Sequence, residues 1–223
     1  MSQPTTTSTF QTEQGPQIEA RNLTSRPMLI CFALALATLV TFWPVVHFDY
    51  TNFDDPDYVT SNKQVLRGLS ASGIVWAFTT NHAGNWHPLT WISHMLDATI
   101  FGTGPFGPHL INLLLHIANS VLVFLLLRQL TGSTWRSALV AGLFAFHPLH
   151  VESFAWIAER KDVLSTFFGL LCLWMYARYV QSAKVEGTQF SLKSALTSRP
   201  YLLAMAFLAL GLVMSVRRCR YVN

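Results

Sequence analysis

Long apolar runs separated by polar loops are the main pattern along the chain. Four of them, at 28–46, 110–127, 163–179 and 201–216, approach the roughly 20 residues that a helix needs to cross a bilayer. They are apolar in long blocks instead of along one stripe, so lipid is their expected solvent. The pattern predicts an all-α integral membrane protein.

A fifth apolar segment, 137–146, is short and is followed by Pro148. It is compatible with a re-entrant segment, a short tilted span or a kinked span that ends near residue 158. If it crosses, Lys and Arg outside the carboxyl-terminal tail divide eight to four between the two faces, as expected of a cytoplasmic and an outer face. If it does not cross, this asymmetry disappears. We therefore predict about five transmembrane helices.

Three regions follow from this division. Residues 1–26, rich in Thr, Ser, Gln and Pro, are predicted to form a disordered cytoplasmic tail. Residues 27–216 form the transmembrane region, with outer loops at about 47–109 and 147–162, and 217–223 form a basic tail. No small-residue cleavage site follows the first apolar run, so we expect a retained helix instead of a removed leader.

The long outer loop is predicted to contain two helices that lie in the membrane interface. Ser70 or Ser72 is suited to cap a helix through Phe78, and Pro88 to begin a second helix that reaches about Phe101. Nearby tryptophans favour the headgroup level. The second helix separates an apolar side (Leu89, Ile92, Met95, Leu96) from a polar side (Ser93, His94, Asp97).

Composition supports the membrane assignment and excludes some sites. Hydrophobic residues make up 51% of the chain and charged residues 12%, against about 25% charged in a soluble domain. Cys31, Cys172 and Cys219 have no paired spacing, so neither a disulfide framework nor a zinc motif is predicted. Membrane lipids are expected neighbours, and no nucleic-acid partner is expected.

Acidic and imidazole side chains are concentrated in the two outer loops, which hold eight of the eleven acids and seven of the eight histidines. Asp54 and Asp55 follow the first span closely, and two adjacent carboxylates repel each other. This repulsion is expected to raise the pKa of at least one of them toward a range suited to accepting a proton. A solvated acidic turn is the alternative.

His147, His150 and Glu152 lie where the third span leaves the membrane. They are compatible with a divalent metal or with hydrogen bonds to a sugar or an anion. The alternative, which we favour from the residues alone, is an interfacial turn whose histidines bind backbone carbonyls. No cofactor is required by the sequence, and no metal ligand is assigned.

Arg160 and Lys161 precede the fourth span, where a basic pair opposes the helix dipole. Their expected partners are Glu159 and Asp162, or a phosphate at headgroup depth. A second polar feature lies in the second span, where Asn112, His116 and Asn119 recur at helical spacing. Such a stripe predicts interhelical hydrogen bonds, with a ligand pocket as the alternative.

Five motifs occur in one order: NFDDPDYV at 52–59, NWHPLTW at 85–91, LLH at 114–116, HPLHVE at 147–152 and ERKD at 159–162. This set resembles the amino-terminal membrane half of the transmembrane-and-tetratricopeptide-repeat proteins. That family is similar to protein O-mannosyltransferases, in the GT-C class of glycosyltransferases that use polyprenyl-phosphate sugars. The resemblance implies a partial GT-C fold.

The resemblance also implies roles for particular residues. Asp54 or Asp55 is the expected catalytic base toward an acceptor hydroxyl, because GT-C enzymes carry an acidic residue at this place. Arg160 and Lys161 are expected to stabilise the polyprenyl-phosphate leaving group. The full expected substrate-binding set is His87, His147, His150, Glu152, Arg160, Lys161 and Asp162.

The implied function is transfer of a sugar from a polyprenyl-phosphate carrier to a protein hydroxyl, in a bacterial inner membrane. Proteins of this family continue with further spans and a repeat array, so we expect a fragment without transferase activity of its own. A non-catalytic membrane scaffold that binds a partner through its outer loops is the alternative. A transporter is a weaker one, since two matching halves with interrupted helices are not seen.

Overall fold

The computed structural model describes residues 17–185, 196–213 and 216–217. The described chain is almost entirely helical, which confirms the predicted all-α class. Its helices are α1 (Gln17–Phe42), α2 (Lys63–Leu66), α3 (Ala71–Thr79), α4 (Pro88–Phe101), α5 (Phe106–Thr131), α6 (Thr134–Phe146), α7 (Pro148–Ala155), α8 (Arg160–Val185) and α9 (Arg199–Val213). Two short strands, β1 (Asn85–Trp86) and β2 (Val216–Arg217), pair antiparallel.

Helix α1 reaches further toward the amino terminus than the first apolar run. It begins at Gln17, inside the segment 1–26 that we predicted as a disordered tail, and residues 1–16 lie outside the described part of the chain. Of the predicted basic tail at 217–223, only Arg217 is described, in β2.

Three apolar stretches within the described residues are long enough to cross a bilayer: Arg26–His47, Phe106–Thr131 and Ile157–Ala183. Helices α6 and α7 form a bent pair with a 58° angle at Pro148, and they supply a fourth span if the pair is counted as one. The bend follows from proline, which removes a backbone donor and ends the α6 hydrogen-bond ladder. Three to four spans are therefore supported by length, against about five predicted.

Helix α9 accounts for the difference. Its 15 residues span about 22 Å, short of the roughly 30 Å hydrocarbon core. It packs against α8, and β2 beyond its end pairs with β1 in the long loop. The carboxyl end of α9 therefore lies on the same face as the long loop, so α9 runs antiparallel to α8.

Helix α5 is the centre of the bundle and contacts α1, α6 and α8. Phe124 on α5 is fully buried against Leu34 of α1 and Ala141 and Ala145 of α6. The polar stripe on α5 forms interhelical hydrogen bonds, as predicted: His116 Nε2 donates to the Ala145 carbonyl at 2.9 Å. The stripe thus fixes α5 to its neighbours, because polar groups at this depth must be satisfied inside the protein.

Both helices predicted in the long loop are present. The Ser70 hydroxyl accepts a hydrogen bond from the Gly73 N–H at 3.1 Å and caps α3, and Pro88 begins α4. The polar side of α4 turns inward: His94 and Asp97 are buried, whereas Leu96 is 43% exposed. Met95 of the apolar side is fully buried as well, so α4 is covered on more than one side, and Asp97 takes part in a buried ion pair described below.

Candidate functional site

Asp55 joins the long loop to the start of the apolar stretch Ile157–Ala183. Its side chain is 1% exposed and accepts hydrogen bonds from the Thr51 N–H at 2.7 Å and from the Ala158 N–H at 3.1 Å. Burial raises the pKa of Asp55 above its usual range, and the two N–H donors oppose that effect. The carboxylate is therefore committed to holding two chain segments 103 residues apart.

Asp54 differs from Asp55 in its exposure and in its contacts. It is partly buried, and its side chain has no hydrogen-bond or ion-pair partner among the described residues. Its carbonyl accepts from the Tyr58 N–H at 3.1 Å, so the backbone at Asp54 is held in a turn. Sequence analysis treated the two carboxylates as equivalent, but only Asp54 presents a free carboxylate at the surface.

The Arg160 guanidinium is occupied by protein groups, and its expected contact with a phosphate stays a prediction. Its side chain is fully buried, and its guanidinium donates to the Asp97 carboxylate at 2.5 Å and to the Asn112 side chain at 2.6 Å. It also donates to the Ser93 hydroxyl and the Pro108 carbonyl, at 2.9 and 2.7 Å. Arg160 therefore connects α4, α5 and α8 from inside.

Lys161 keeps its charge near the surface. Its Nζ lies 2.8 Å from a Glu159 carboxylate oxygen, and both side chains are about one-fifth exposed. The same Nζ lies 5.8 Å from the centre of the Tyr58 ring, one turn after Asp54. Of the predicted basic pair, Lys161 alone remains accessible to an anionic ligand, and it shares a neighbour with Asp54.

His87 lies beneath this surface and does not line it. It is 2% exposed, and its ring stacks on Tyr58 at 5.5 Å and on Trp91 at 4.8 Å between centroids. Burial, with Lys161 and His82 nearby, lowers the pKa of His87 to about 4. In this arrangement His87 packs against Tyr58 and is almost inaccessible, and its expected contact with substrate stays a prediction.

His147, His150 and Glu152 form a separate group at the start of α7. His147 Nδ1 accepts from the Leu149 N–H at 3.3 Å, and His150 Nδ1 donates to the Phe144 carbonyl at 2.8 Å. The His150 bond to a carbonyl fits the interfacial turn that we favoured from the residues, whereas His147 binds an N–H instead of a carbonyl. The Glu152 side chain is exposed. No described side-chain contact joins this group to Asp54 or Asp55.

No metal centre is evident within the described ranges, because no three His, Cys, Asp or Glu side chains converge there. Asp162 is exposed in the first turn of α8, where a negative charge interacts favourably with the helix dipole and stabilises the helix. Its predicted contact with substrate stays a prediction.

Asp97, Tyr58 and Ser93 are the site residues that sequence reasoning missed. Asp97 was noted only as part of the polar side of α4. An acid on a helix of apolar residues requires a buried cation as partner, and Arg160 was available, so the signal was present. Tyr58 carried no separate signal beyond its place in the NFDDPDYV motif.

Comparison with known proteins gives a consistent result. Protein O-mannosyl-transferase Tmtc2 of Drosophila melanogaster is 32% identical over 137 residues, which are 58% of this chain and 15% of that protein. The Tmtc1 enzyme of the same organism is 37% identical over 97 residues, 44% of this chain and 11% of the relative. Human TMTC4 is 31% identical over 162 residues, 62% of this chain and 22% of the relative.

The chain is similar to the TMTC protein O-mannosyl-transferases. This finding confirms the resemblance stated from the motifs. The chain spans only 11 to 22% of the length of these three relatives, so it corresponds to a part of each. No family model matches the chain, and no solved structure matches it.

Proposed function

We propose that this chain supplies the acceptor-activating part of a membrane glycosyltransferase site, with Asp54 as the general base. In the intact enzyme, a sugar passes from a polyprenyl-phosphate carrier to a protein hydroxyl. The observation that carries the proposal is the contrast between the two adjacent carboxylates. Both Asp55 carboxylate oxygens bind backbone N–H groups that hold the loop, whereas the Asp54 carboxylate has no partner among the residues that the structure describes.

The proposed step is a nucleophilic substitution at the anomeric carbon. The Asp54 carboxylate takes the proton of the acceptor hydroxyl, and the oxygen of that hydroxyl forms the new glycosidic bond to the anomeric carbon. The bond between the anomeric carbon and the phosphate oxygen breaks, and its electron pair leaves with the polyprenyl phosphate. Lys161 stabilises the charge that develops on this leaving group, since its partly exposed ammonium lies 5.8 Å from the ring of Tyr58, whose N–H binds the Asp54 carbonyl.

The buried residues act as positioning groups in this proposal. Arg160 holds α4 against α5 and α8, and Asp55 holds the turn that carries Asp54. Pre-organisation of this kind lowers the reorganisation that a general base would otherwise require. We propose a bacterial inner membrane as its location. The charge distribution favours an amino terminus in the cytoplasm and a site on the outer face.

The test uses a chimera in which this chain replaces the matching segment of Drosophila melanogaster Tmtc2, so that the rest of a relative is present. Sugar transfer from a polyprenyl-phosphate mannose to a Ser/Thr peptide is measured in membranes. Asp54→Asn should reduce the rate by about 10²-fold or more, the scale of general-base assistance. Asp57→Asn, which neutralises an exposed acid three residues away, is the matched control and should keep the rate within twofold.

Two outcomes would contradict the proposal. Equal rates for Asp54→Asn and Asp57→Asn would show that Asp54 is not the general base. A chimera that inserts normally but transfers no sugar would favour the alternative, a scaffold whose outer loops bind a partner. Asp55→Asn should instead lower the amount of folded protein, with transfer per folded molecule less affected than in Asp54→Asn.

A further inference from the structure

A groove of about 950 Å³ lies on the face opposite to Asp54. It is formed by the start of the apolar stretch in α1, the end of α5, the start of α6 and the last turns of α8. The stretch Arg26–His47 has 22 residues, so at 1.5 Å per residue it separates Arg26 from the long outer loop by about 30 Å. The groove therefore lies at the headgroup level of the other leaflet.

The charge in this groove has one sign. Arg26 and Arg128 line it, and no Asp or Glu is among its lining residues. Neither arginine has an ion-pair or side-chain hydrogen-bond partner within the described residues. Arg128 is nonetheless half-buried, and a half-buried cation without a counter-charge favours binding of an anion.

The wall between α5 and α8 is polar. Gln129 Nε2 donates to the Gln181 side-chain oxygen at 3.1 Å, and Gln181 Nε2 donates to the Gln129 carbonyl at 3.0 Å. This reciprocal pair, next to Arg128, closes one side of the groove with amide groups. A headgroup thus meets a fixed polar surface on this side.

The other walls are apolar and continue toward the bilayer. Trp135 on α6 is 77% exposed, and Trp174 on α8 stands across the groove with Arg178 over its ring at 5.9 Å. Tryptophan prefers the headgroup level, where one end is apolar and the other is wet. Exposed Leu29 and half-buried Leu125 extend the lining toward hydrocarbon depth.

We infer that this groove binds one anionic membrane phospholipid, with its phosphate between Arg26 and Arg128 and its acyl chains along the apolar walls. Charge complementarity selects the negative headgroup. The apolar walls select a lipid over a free phosphate, which would gain nothing from Trp135 and Leu29. This site is independent of the proposed sugar transfer, which takes place on the opposite face.

The experiment is native mass spectrometry of the purified full chain, titrated with phosphatidylglycerol or with phosphatidylcholine of the same acyl chains. The wild-type chain should retain phosphatidylglycerol with the higher affinity. The variant R26Q/R128Q should bind it roughly 25-fold more weakly, because each basic side chain near an anionic lipid surface contributes about fivefold. Its affinity for phosphatidylcholine should change by less than about twofold.

The matched control is R136Q/R199Q, which removes two exposed arginines from the same face but outside the groove. This variant should keep the phosphatidylglycerol affinity within about threefold. An equal loss in both double variants would overturn the inference, since it would show general attraction to a basic face. Equal wild-type affinity for the two lipids, or displacement of the lipid by millimolar inorganic phosphate, would overturn it as well.

Discussion

The buried Arg160–Asp97 pair gives the most demanding prediction about stability. Arg160→Met removes a cation whose guanidinium donates four hydrogen bonds, and it leaves the Asp97 carboxylate buried without its partner. Breaking a buried pair from one side costs about 3–5 kcal/mol. Because the Asn112, Ser93 and Pro108 acceptors also lose their donor, we expect the upper part of this range.

A double variant separates the ion pair from simple loss of packing. Arg160→Met combined with Asp97→Leu replaces both charges with apolar groups of similar size, so it should be less destabilised than Arg160→Met alone by about 2 kcal/mol. Lys161→Gln is the control, because it breaks the neighbouring, partly exposed pair with Glu159 and should cost only about 0–1 kcal/mol.

Reversible unfolding in mixed micelles, followed by far-ultraviolet circular dichroism as the denaturing detergent fraction rises, measures these free energies. The reasoning fails if Arg160→Met and Lys161→Gln differ by less than about 1 kcal/mol, which is within the exposed-pair range. It fails equally if the effects of Arg160→Met and Asp97→Leu simply add. Either result would mean that the pair is solvated and does not fix α4.

Two further predictions concern His87 and the orientation of the chain. The pKa of His87 is about 4 in the folded protein and about 6.5 in the unfolded chain, so folding stability is lost as pH falls from about 6.5 to 4. His87→Phe should reduce this loss by about 3 kcal/mol. A variant with unchanged acid sensitivity would contradict the lowered pKa. In a chain without its native cysteines, Ser72→Cys should react with an impermeant maleimide from outside and Ser133→Cys should not. Reaction of Ser133→Cys in sealed cells would overturn the predicted orientation.

Local signals were sufficient to predict most of the helices. Ser70 caps α3 and Pro88 begins α4, because capping and proline act within one turn of the chain. Helix ends were less accurate: α5 begins at Phe106 and α8 continues to Val185, beyond the apolar runs that predicted them. A helix continues past its apolar part as long as no residue breaks the hydrogen-bond ladder, so hydropathy alone underestimates its length.

Contacts between residues far apart in the sequence could not be predicted from local sequence patterns. The sequence indicated that Arg160 needs an anion, but Glu159, Asp162 and a phosphate were equally suitable by spacing. The actual partner, Asp97, lies 63 residues away on the polar side of α4. The same holds for Asp55 and Ala158, because a backbone N–H carries no sequence signal of what it will bind. Such choices depend on how the helices pack.

The cost of burying Asp55 is an argument for a role of its neighbour. A carboxylate that is 1% exposed is unfavourable, and two backbone N–H groups offset only part of that cost. A loop that needed only to connect two helices would be at least as stable with an apolar residue or an asparagine at this position. Perturbed acids of this kind cluster at functional sites.

The buried carboxylate holds the Asp54 turn in place, next to Tyr58 and Lys161. The free-energy cost of burying Asp55 has a reason if the carboxylate of Asp54 must meet a reacting hydroxyl in a fixed position. A scaffold that only binds a partner has no comparable requirement.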